Sequence, residues 1–491
     1  MNLSNIKTLK ELKESGFIVK SVKDELRDNL ITKIRLNENV FEGIYGYEDT
    51  VIPNIERAIL SRHSINMLGL RGQAKTRIAR MMTHLLDEYM PIIEGSEVND
   101  NPFDPVSYYG KQMIAEKGDA TPIAWIHRSE RYVEKLATPD VSIADLIGDV
   151  DPIKAANLKL DYSDPRVIHF GLIPRANRCL FVINELPDLQ ARIQVALFNI
   201  LQEGDIQIRG FQLRFPLDIQ FMFTANPEDY TNRGSIITPL KDRIQSQIMT
   251  HYPKTIELAK DITKSEAKIS ESQKENITVP EIVKDLLEQI SFEARESEFV
   301  DEKSGVSARL SISAYETMLS AAERRMLKSG DAATTVRISD LMAVIPSMIG
   351  KIEMVYEGEQ EGSVNVSYAL IRSAIRTQTI TFFPELRDLK KLKNNSSETY
   401  NAIINWFSNN NLDLLNDLSE AEYVKELDKV DHLKAIINEK FPSLPEQGMY
   451  LMMEYLLHSL AEYSYLNKNK LERSFKFEDL LGSMFSTDDL K

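Results

Sequence analysis

The residues best suited to chemistry form a short loop between a predicted strand and a predicted helix. An apolar stretch, residues 63–68, precedes the sequence Gly69-Leu-Arg-Gly-Gln-Ala-Lys-Thr76, and a helical pattern of apolar side chains follows it. The loop is close to the pattern G-x-x-x-x-G-K-[ST], in which backbone N–H groups and a helix N-terminus converge on a phosphate group. In that pattern the lysine, here Lys75, reaches the β- and γ-phosphates, and the hydroxyl of Thr76 binds Mg²⁺.

One position of this loop departs from the pattern. Ala74 stands where a second glycine is expected, and alanine keeps the N–H donor but restricts the backbone. We interpret it as a tolerated variant of a phosphate-binding loop, and the alternative is an ordinary strand-turn-helix with a chance Lys-Thr pair. The predicted nucleotide-binding residues are Gly69, Leu70, Arg71, Gly72, Gln73, Ala74, Lys75 and Thr76.

A second apolar run, residues 178–183, ends in Asn184-Glu185. Such a run is typical of a strand buried on both faces of a parallel sheet. In phosphate-loop ATPases the end of this strand supplies two acidic groups, one for the water shell of the magnesium ion and one that polarises the attacking water. Glu185 suits the second task, although a carboxylate that caps the following helix is the alternative. Asn184 is neutral, so we expect weaker metal binding than an aspartate would provide.

Two further polar residues lie next to predicted strands. Asn226 ends the apolar run 219–225 and could orient a water molecule, although Asn before Pro is also common in turns. Arg243 precedes the candidate strand 244–250, where a lone arginine is usually a surface residue.

The elements that must position these residues alternate between strands and helices. This alternation predicts an open, parallel α/β sheet with a nucleotide site at the carboxyl ends of its strands. We expect an insertion at about residues 91–120, a β-hairpin at 204–216 around Arg209-Gly210, and only helices after about residue 255. The five candidate strands are residues 63–68, 121–127, 178–183, 219–225 and 244–250.

Composition limits the possible functions. A chain of 491 residues is expected to contain two to four domains, and its net charge of −15 argues against a general nucleic-acid-coating surface. The single cysteine, Cys179, excludes an intrachain disulfide framework, so a reducing compartment fits. Residues 1–20 carry charges throughout, and no segment is apolar enough to span a bilayer. We therefore expect a soluble, cytoplasmic protein.

The order of the motifs resembles a known family. Five motifs occur in the order and approximate spacing of AAA+ ATPases, namely Gly69–Thr76, Phe181–Glu185, Phe223–Asn226, Asp242-Arg243 and Ser307–Arg309. The chain resembles this family over approximately residues 40–350. Two more segments, Phe170–Asn177 and Gly305–Leu310, are similar to those of the magnesium chelatase I-subunit and MoxR branch.

The resemblance implies an AAA+ P-loop fold with a five-stranded parallel sheet, a helical lid and a ring of subunits, expected to be a hexamer. It also implies ATP and Mg²⁺ as cofactors, with Thr76 and Asn184 at the metal. By the same resemblance Glu185 is catalytic, Asn226 is the first sensor, Arg243 is a finger that reaches the neighbouring subunit's γ-phosphate, and Arg309 is the second sensor. The expected domains are a solvated helical arm (1–40), the nucleotide-binding domain (41–254), the lid (255–355) and an all-helical C-terminal region (356–491).

The function implied by this resemblance is ATP hydrolysis in a ring that remodels or activates a protein partner. In the MoxR branch the partner commonly contains a von Willebrand factor A domain, and no such domain is recognisable in this chain, so we expect a separate protein. A slow, ATP-dependent switch is an alternative because of Asn184. A sigma-54-type transcriptional activator and a true magnesium chelatase subunit are further alternatives.

Overall fold

The structure is a computed structural model. It describes residues 6–162, 164–208, 214–226, 235–391, 395–470 and 474–479. The chain divides into two compact units, Met1–Tyr252 and Pro253–Lys491. Within the described ranges, none of the helices combines the length and the apolar character that crossing a membrane requires.

A five-stranded parallel sheet forms the centre of the first unit. Along the chain its strands are β1 (Ile65–Leu68), β2 (Tyr132–Leu136), β3 (Cys179–Asn184), β4 (Ile219–Ala225) and β5 (Ser246–Met249). Their spatial order is β5-β1-β4-β3-β2, and every neighbouring pair is parallel. Every residue of β3 and β4 is buried, as expected for central strands covered on both faces. The predicted fold class, an α/β domain with a five-stranded parallel sheet followed by a helical region, is confirmed in its main features.

One of the five predicted strands forms but does not belong to the central sheet. Residues Ile123–His127 form a strand, but it pairs antiparallel with Tyr89–Ile93 in a separate two-stranded sheet. The missing member of the central sheet is β2, which the sequence analysis did not identify. This edge strand contains Glu134 and Lys135 and is only partly buried, so its apolar signal is weak.

The predicted insertion at residues 91–120 contains regular structure. It begins within the strand Tyr89–Ile93 and contains the helix Tyr108–Lys117. The helix lacks an apolar face, and Gly110 is its only buried residue, so its sequence carries no helical period.

The N-terminal arm is not a solvated extension. Its second helix, Val22–Arg35, buries Val22, Leu26 and Leu30 in the hydrophobic core beneath the sheet. The buried Glu25 carboxylate also accepts two hydrogen bonds from the Arg131 guanidinium, at 2.6 and 2.7 Å. The arm is therefore part of the first unit.

Shorter elements complete the first unit. The arms of the predicted hairpin, Asp205–Gln207 and Arg214–Pro216, pair antiparallel, whereas Arg209-Gly210 lies outside the described residues. A second antiparallel pair joins Gly148–Val150 to Ile168–Phe170. The remaining α-helices are Leu9–Glu14, Val51–Leu60, Lys75–Met81, Ile143–Leu146, Pro152–Leu158, Leu172–Arg175, Ala191–Glu203 and Thr238–Arg243. The 3₁₀ helices are Met82–Leu85, Gly118–Ala120, Arg128–Glu130, Pro165–Val167 and Leu186–Asp188.

The second unit is mainly helical but not entirely so. Its hydrophobic core is continuous from Ile277 to Phe477 and crosses the predicted domain boundary at residue 355. A three-stranded antiparallel sheet, in the order Leu412–Leu415, Ser474–Glu478, Asn467–Lys470, and a short parallel pair, Ile277–Thr278 with Thr334–Thr335, occur where we predicted only helices. These strands have two to five residues, too few for a clear alternating pattern.

The helices of the second unit vary widely in length. The α-helices are Ile256–Glu266, Glu271–Asn276, Glu281–Glu296, Arg309–Ser329, Ile345–Met348, Tyr356–Glu361, Ser363–Phe382, Asn395–Phe407, Glu420–Leu427, Leu433–Lys440 and Glu446–Glu462. The 3₁₀ helices are Ile338–Val344 and Pro384–Lys391.

Candidate functional site

The loop Gly69–Thr76 joins β1 to the helix Lys75–Met81 at the carboxyl edge of the sheet. The Gly69 N–H donates to the Ala225 carbonyl at 3.1 Å, which ties the start of the loop to the end of β4. The backbone then passes through positive φ values at Gly72 (72°) and Ala74 (56°) before the helix begins. For alanine this left-handed conformation costs about 1–2 kcal/mol relative to an ordinary one, which explains why a glycine is expected at position 74.

Side chains from outside the loop hold it in place. The Thr250 hydroxyl donates to the Gln73 side-chain oxygen at 2.6 Å, and the Thr250 N–H donates to the Leu68 carbonyl at 2.7 Å. The Tyr47 hydroxyl lies between the Gln73 carbonyl (3.2 Å) and the His251 carbonyl (2.7 Å). Burial raises the pKa of Tyr47 to about 12, so the hydroxyl stays protonated and keeps its hydrogen to donate. The conformation of the loop is therefore held by hydrogen bonds to Tyr47 and Thr250, which lie outside it.

Lys75 is buried, and its ammonium group turns back over its own loop. Its Nζ donates to the Gly69 carbonyl and, at 3.0 Å, to the Leu70 carbonyl. An ammonium group is attracted more strongly to an ionised acceptor than to a neutral carbonyl, because the full negative charge adds Coulomb energy. A phosphate near the loop would therefore compete effectively for this lysine.

Asn184 lies at the centre of a small polar network at the ends of β2, β3 and β4. Its Oδ1 accepts a hydrogen bond from the Thr224 hydroxyl at 3.1 Å and lies 3.5 Å from the Thr76 hydroxyl. Its Nδ2 donates to Oε1 of Glu134. The two residues that the sequence analysis assigns to the metal, Thr76 and Asn184, are thus in contact.

Glu185 has a strained backbone. Its φ and ψ are 54° and 51°, the left-handed region, and its N–H donates to the Thr224 hydroxyl at 3.2 Å. A non-glycine residue in this conformation costs of order 1–3 kcal/mol, and such strain is concentrated at functional sites. Glu185 precedes the 3₁₀ helix Leu186–Asp188, but its side chain makes no capping hydrogen bond there. Its side chain therefore does not act as a cap of this short helix, and its catalytic role stays a prediction.

Asn226 lies at the same edge as the loop. It is buried and follows Ala225, which is paired in register with Leu68, the last residue of β1. Its neighbour Pro227 lies outside the described residues.

Arg243 and Arg309 make other contacts, each within its own unit. Arg243 ends the helix Thr238–Arg243; its guanidinium donates to the Pro239 carbonyl at 2.8 Å and lies 4.7 Å from the ring centre of Phe198. Arg309 is exposed in the second unit, and its N–H donates to the Ser307 hydroxyl at 3.2 Å. Their assigned roles as a finger and a sensor stay predictions.

The donor atoms fit a small, hard cation. Mg²⁺ prefers oxygen ligands and retains several of its waters when protein-bound. The Thr76 hydroxyl and the Asn184 amide oxygen are both oxygen donors, and Glu134 places a carboxylate against the Asn184 amide. Thr76 and Asn184 would hold the ion directly or through its waters.

Sequence reasoning missed several residues of the site: Tyr47, Glu134, Thr224 and Thr250. A signal was present for Thr224, because it is a polar residue inside an apolar strand just before Asn226. No comparable signal exists for Glu134, since its strand was itself not recognised.

Comparisons with known proteins show only distant structural similarity. No family model matches the sequence, and no curated protein matches it. NtrX from Brucella abortus is 14% identical with a TM-score of 0.37, covering 76% of this chain and 69% of that one. A complex of the magnesium chelatase subunits BchI and BchD is 20% identical with a TM-score of 0.34, covering 65% and 98%. Hsp104 with ATPγS and casein is 14% identical with a TM-score of 0.38, covering 72% and 55%. Scores of this size carry no argument, so function must be inferred from the site itself.

Proposed function

We propose that this protein is an AAA+ ATPase whose first unit binds ATP with Mg²⁺ through the loop Gly69–Thr76. The observation that carries the proposal is the contact between this loop and the end of β3. Thr76 lies against Asn184, and the next residue, Glu185, is held in a strained conformation. A phosphate-binding loop beside a carboxylate at a strand end suits phosphoryl transfer to water, because the carboxylate can orient and polarise the attacking water.

Each residue has a role in this proposal. Lys75 leaves the carbonyls of its loop and binds the β- and γ-phosphates, while the N–H groups of the loop and of the first helical turn bind their oxygens. Mg²⁺, when bound, neutralises charge that develops on the phosphate oxygens. Glu185 polarises the attacking water as a general base, and Asn226 orients it.

The proposed assembly is a ring, expected to be a hexamer. Arg243 contacts its own helix and the ring of Phe198, and in a ring it would stabilise the transition state at the neighbouring subunit's nucleotide. Arg309, in the second unit, is proposed as a sensor of the bound nucleotide. Because ATP would then change the geometry between subunits, hydrolysis can perform mechanical work on a client.

Calorimetry with ATP and Mg²⁺ tests the binding step. We expect Lys75→Ala to weaken ATP binding at least 100-fold, because a charged hydrogen-bond donor to the phosphates is lost. Lys117→Ala, at an exposed helix end, is the matched control and should bind like the wild type. An unmodified protein that ignores millimolar ATP in the presence of Mg²⁺ would refute the proposal.

Steady-state phosphate release tests the chemical step. Glu185→Gln should retain ATP binding and lower the rate by about 10²–10⁴-fold, the usual contribution of a general base. The second candidate function, a slow nucleotide-dependent switch, is favoured by the neutral Asn184. Equal, near-background rates for the wild type and Glu185→Gln would support the switch.

The proposed client is a separate protein, with a von Willebrand factor A domain as the first candidate from the MoxR-like motifs. If ATP drives ring formation, Glu185→Gln with ATP should sediment at about six times the monomer mass, and Arg243→Ala should still bind ATP but hydrolyse it slowly. Sedimentation velocity measures the first outcome. A monomer at all nucleotide concentrations would exclude the ring.

A further inference from the structure

Glu134 connects the site to a strand that the predicted chemistry does not use. It lies on β2, two residues before Leu136, which is the register partner of Asn184. Its Oε1 accepts a hydrogen bond from Nδ2 of Asn184, and its Oε2 accepts one from Arg80 Nη2 at 2.8 Å. The Tyr132 hydroxyl donates to the same Oε2 at 3.2 Å. Both carboxylate oxygens are thus engaged, one of them with the residue beside Thr76.

This contact decides which way the Asn184 amide points. An ionised carboxylate only accepts hydrogen bonds, so it must face the NH₂ end of the amide. The amide oxygen then faces the hydroxyls of Thr76 and Thr224, both of which can donate. With the opposite orientation the site would present N–H groups, which cannot bind a cation.

Glu134 also supplies the negative charge that Asn184 lacks. Its side chain is 23% exposed, so its field is only partly screened, whereas its partner Arg80 is 64% exposed and better solvated. The carboxylate therefore retains part of its negative potential beside Asn184, although Arg80 pairs with its other oxygen. An acidic group within a few ångströms favours a bound cation.

We propose that Glu134 supplies the carboxylate of the Mg²⁺ site from β2, the strand beside the one that ends in Asn184. It acts by orienting the Asn184 amide and by its negative charge. This inference rests on the proposed nucleotide site. Glu134 is a positioning residue in this scheme, because it acts on the metal through Asn184.

The proposal predicts that an aspartate at position 184 would weaken Mg²⁺ binding. In Asn184→Asp, two carboxylates would meet where an N–H group now donates to Glu134, and the lost hydrogen bond and the repulsion between like charges would displace one of them. Introducing the aspartate expected in this family should therefore impair the site while Glu134 is present. Exchanging the two residues, in Glu134→Gln with Asn184→Asp, restores one amide, one carboxylate and the hydrogen bond between them.

The test measures how much Mg²⁺ strengthens ADP binding, by calorimetry with Mg²⁺ and with EDTA. ADP avoids any contribution from hydrolysis. Glu134→Gln and Asn184→Asp should each lower the enhancement by Mg²⁺ about tenfold, and the double variant should recover to within about threefold of the wild type. Binding in EDTA should stay within twofold for all four proteins. Electron paramagnetic resonance of Mn²⁺ with the protein–ADP complex gives an independent reading of metal affinity.

Arg80→Gln is the matched control for a purely structural role. It removes the charged partner of Glu134 but leaves the carboxylate and its hydrogen bonds to Asn184 and Tyr132. If Glu134 only braces β2 through Arg80, both variants should lower the melting temperature and leave the Mg²⁺ enhancement unchanged. We expect Arg80→Gln to retain the enhancement and Glu134→Gln to lose it.

The outcomes separate this inference from the proposed function. Wild-type protein that does not bind ADP under either condition refutes the nucleotide site, and the inference with it. Wild-type protein that binds ADP with Mg²⁺ enhancement, together with Glu134→Gln of equal enhancement, refutes the role of Glu134 alone. An Asn184→Asp single variant that binds Mg²⁺-ADP more tightly than the wild type, or a double variant without recovery, would also overturn it.

Discussion

The sheet edge of the first unit and the interior of the second unit both contain connected polar side chains, but the two networks differ in their partners. We call a network closed when its charged groups are buried and bind one another, and open when they bind backbone carbonyls or solvated side chains. In the second unit the Arg325 guanidinium donates to Asp340 at 2.8 Å and to the Thr335 carbonyl at 3.0 Å, and both charged side chains are less than 10% exposed. At the sheet edge, Lys75 donates to the carbonyls of its own loop, and Arg80, the charged partner of Glu134, is largely solvated.

This difference distinguishes side chains that stabilise the fold from side chains that are available to bind a ligand. A buried network whose charges bind one another has a single low-energy arrangement, and losing one member leaves an unpaired charge. A network at the edge of a parallel sheet can exchange a protein acceptor for a ligand atom at little cost. We therefore expect substitutions in the interior network to change the free energy of unfolding, and substitutions at the edge to change nucleotide binding.

The largest effect tests the interior network. Asp340→Ala should lower the free energy of unfolding by about 3 kcal/mol, the low end for a broken buried pair, because Arg325 keeps only the partly exposed Glu420 as a counter-charge. Urea titration measures it. Glu271→Ala, which breaks an exposed pair with Lys274, should change the same quantity by less than about 0.5 kcal/mol. Equal effects would remove the distinction between a closed and an open polar network.

A second prediction contrasts the two ends of β3. Burial raises the pKa of Cys179, at the closed start of the strand, to about 11 from its ordinary value of 9.0. Because the thiolate is the reactive form, alkylation by iodoacetamide at pH 8 should be about 100-fold slower than for an exposed cysteine, and should accelerate as the pH rises. The comparison protein is Cys179→Ala with Lys117→Cys. Equal labelling rates would mean that this end is open.

The loop supplies the third prediction. A Cβ at Gly69 would overlap the Thr250 hydroxyl and the Gln73 side-chain oxygen. Gly69→Ala must therefore displace the loop from the hydrogen bond between Thr250 and Gln73, which we call the clamp. We expect about tenfold weaker ATP binding, with a smaller change in stability. Gly448→Ala is the control, since its Cβ would meet atoms no nearer than 3.5 Å. A Gly69→Ala variant with unchanged affinity would show that the clamp does not set the loop geometry.

The smallest effect concerns Ala74. Ala74→Gly removes the strain of a left-handed alanine but adds flexibility to the unfolded chain, so the net gain in stability should be about 0.5–1 kcal/mol. ATP affinity should change by less than about threefold, because the N–H donor is retained. Thermal unfolding and calorimetry measure the two quantities. A large gain in affinity would mean that Ala74 restricts the site.

Prediction from sequence succeeded where the signal is local. The apolar runs of β3 and β4 are long, and their carboxyl ends carry Asn184 and Asn226, so strand and polar terminus are visible together. It failed for β2, whose charged residues hide an edge strand, and consequently for Glu134. It predicted a helical arm at the N-terminus but missed the burial of the helix Val22–Arg35, because a charged amphipathic helix has the same pattern whether its apolar face meets a core or solvent.

The sequence by itself determined the loop from Gly69 to Thr76, the central strands and the α/β class, because these depend on residue types and on the period of each element. Only the tertiary structure decided which strand lies beside β3, and therefore which carboxylate meets Asn184. Pairing between strands is a long-range choice made by backbone hydrogen bonds and burial, and no local pattern encodes it. The partnership of Glu134 with Asn184, 50 residues apart, is the consequence.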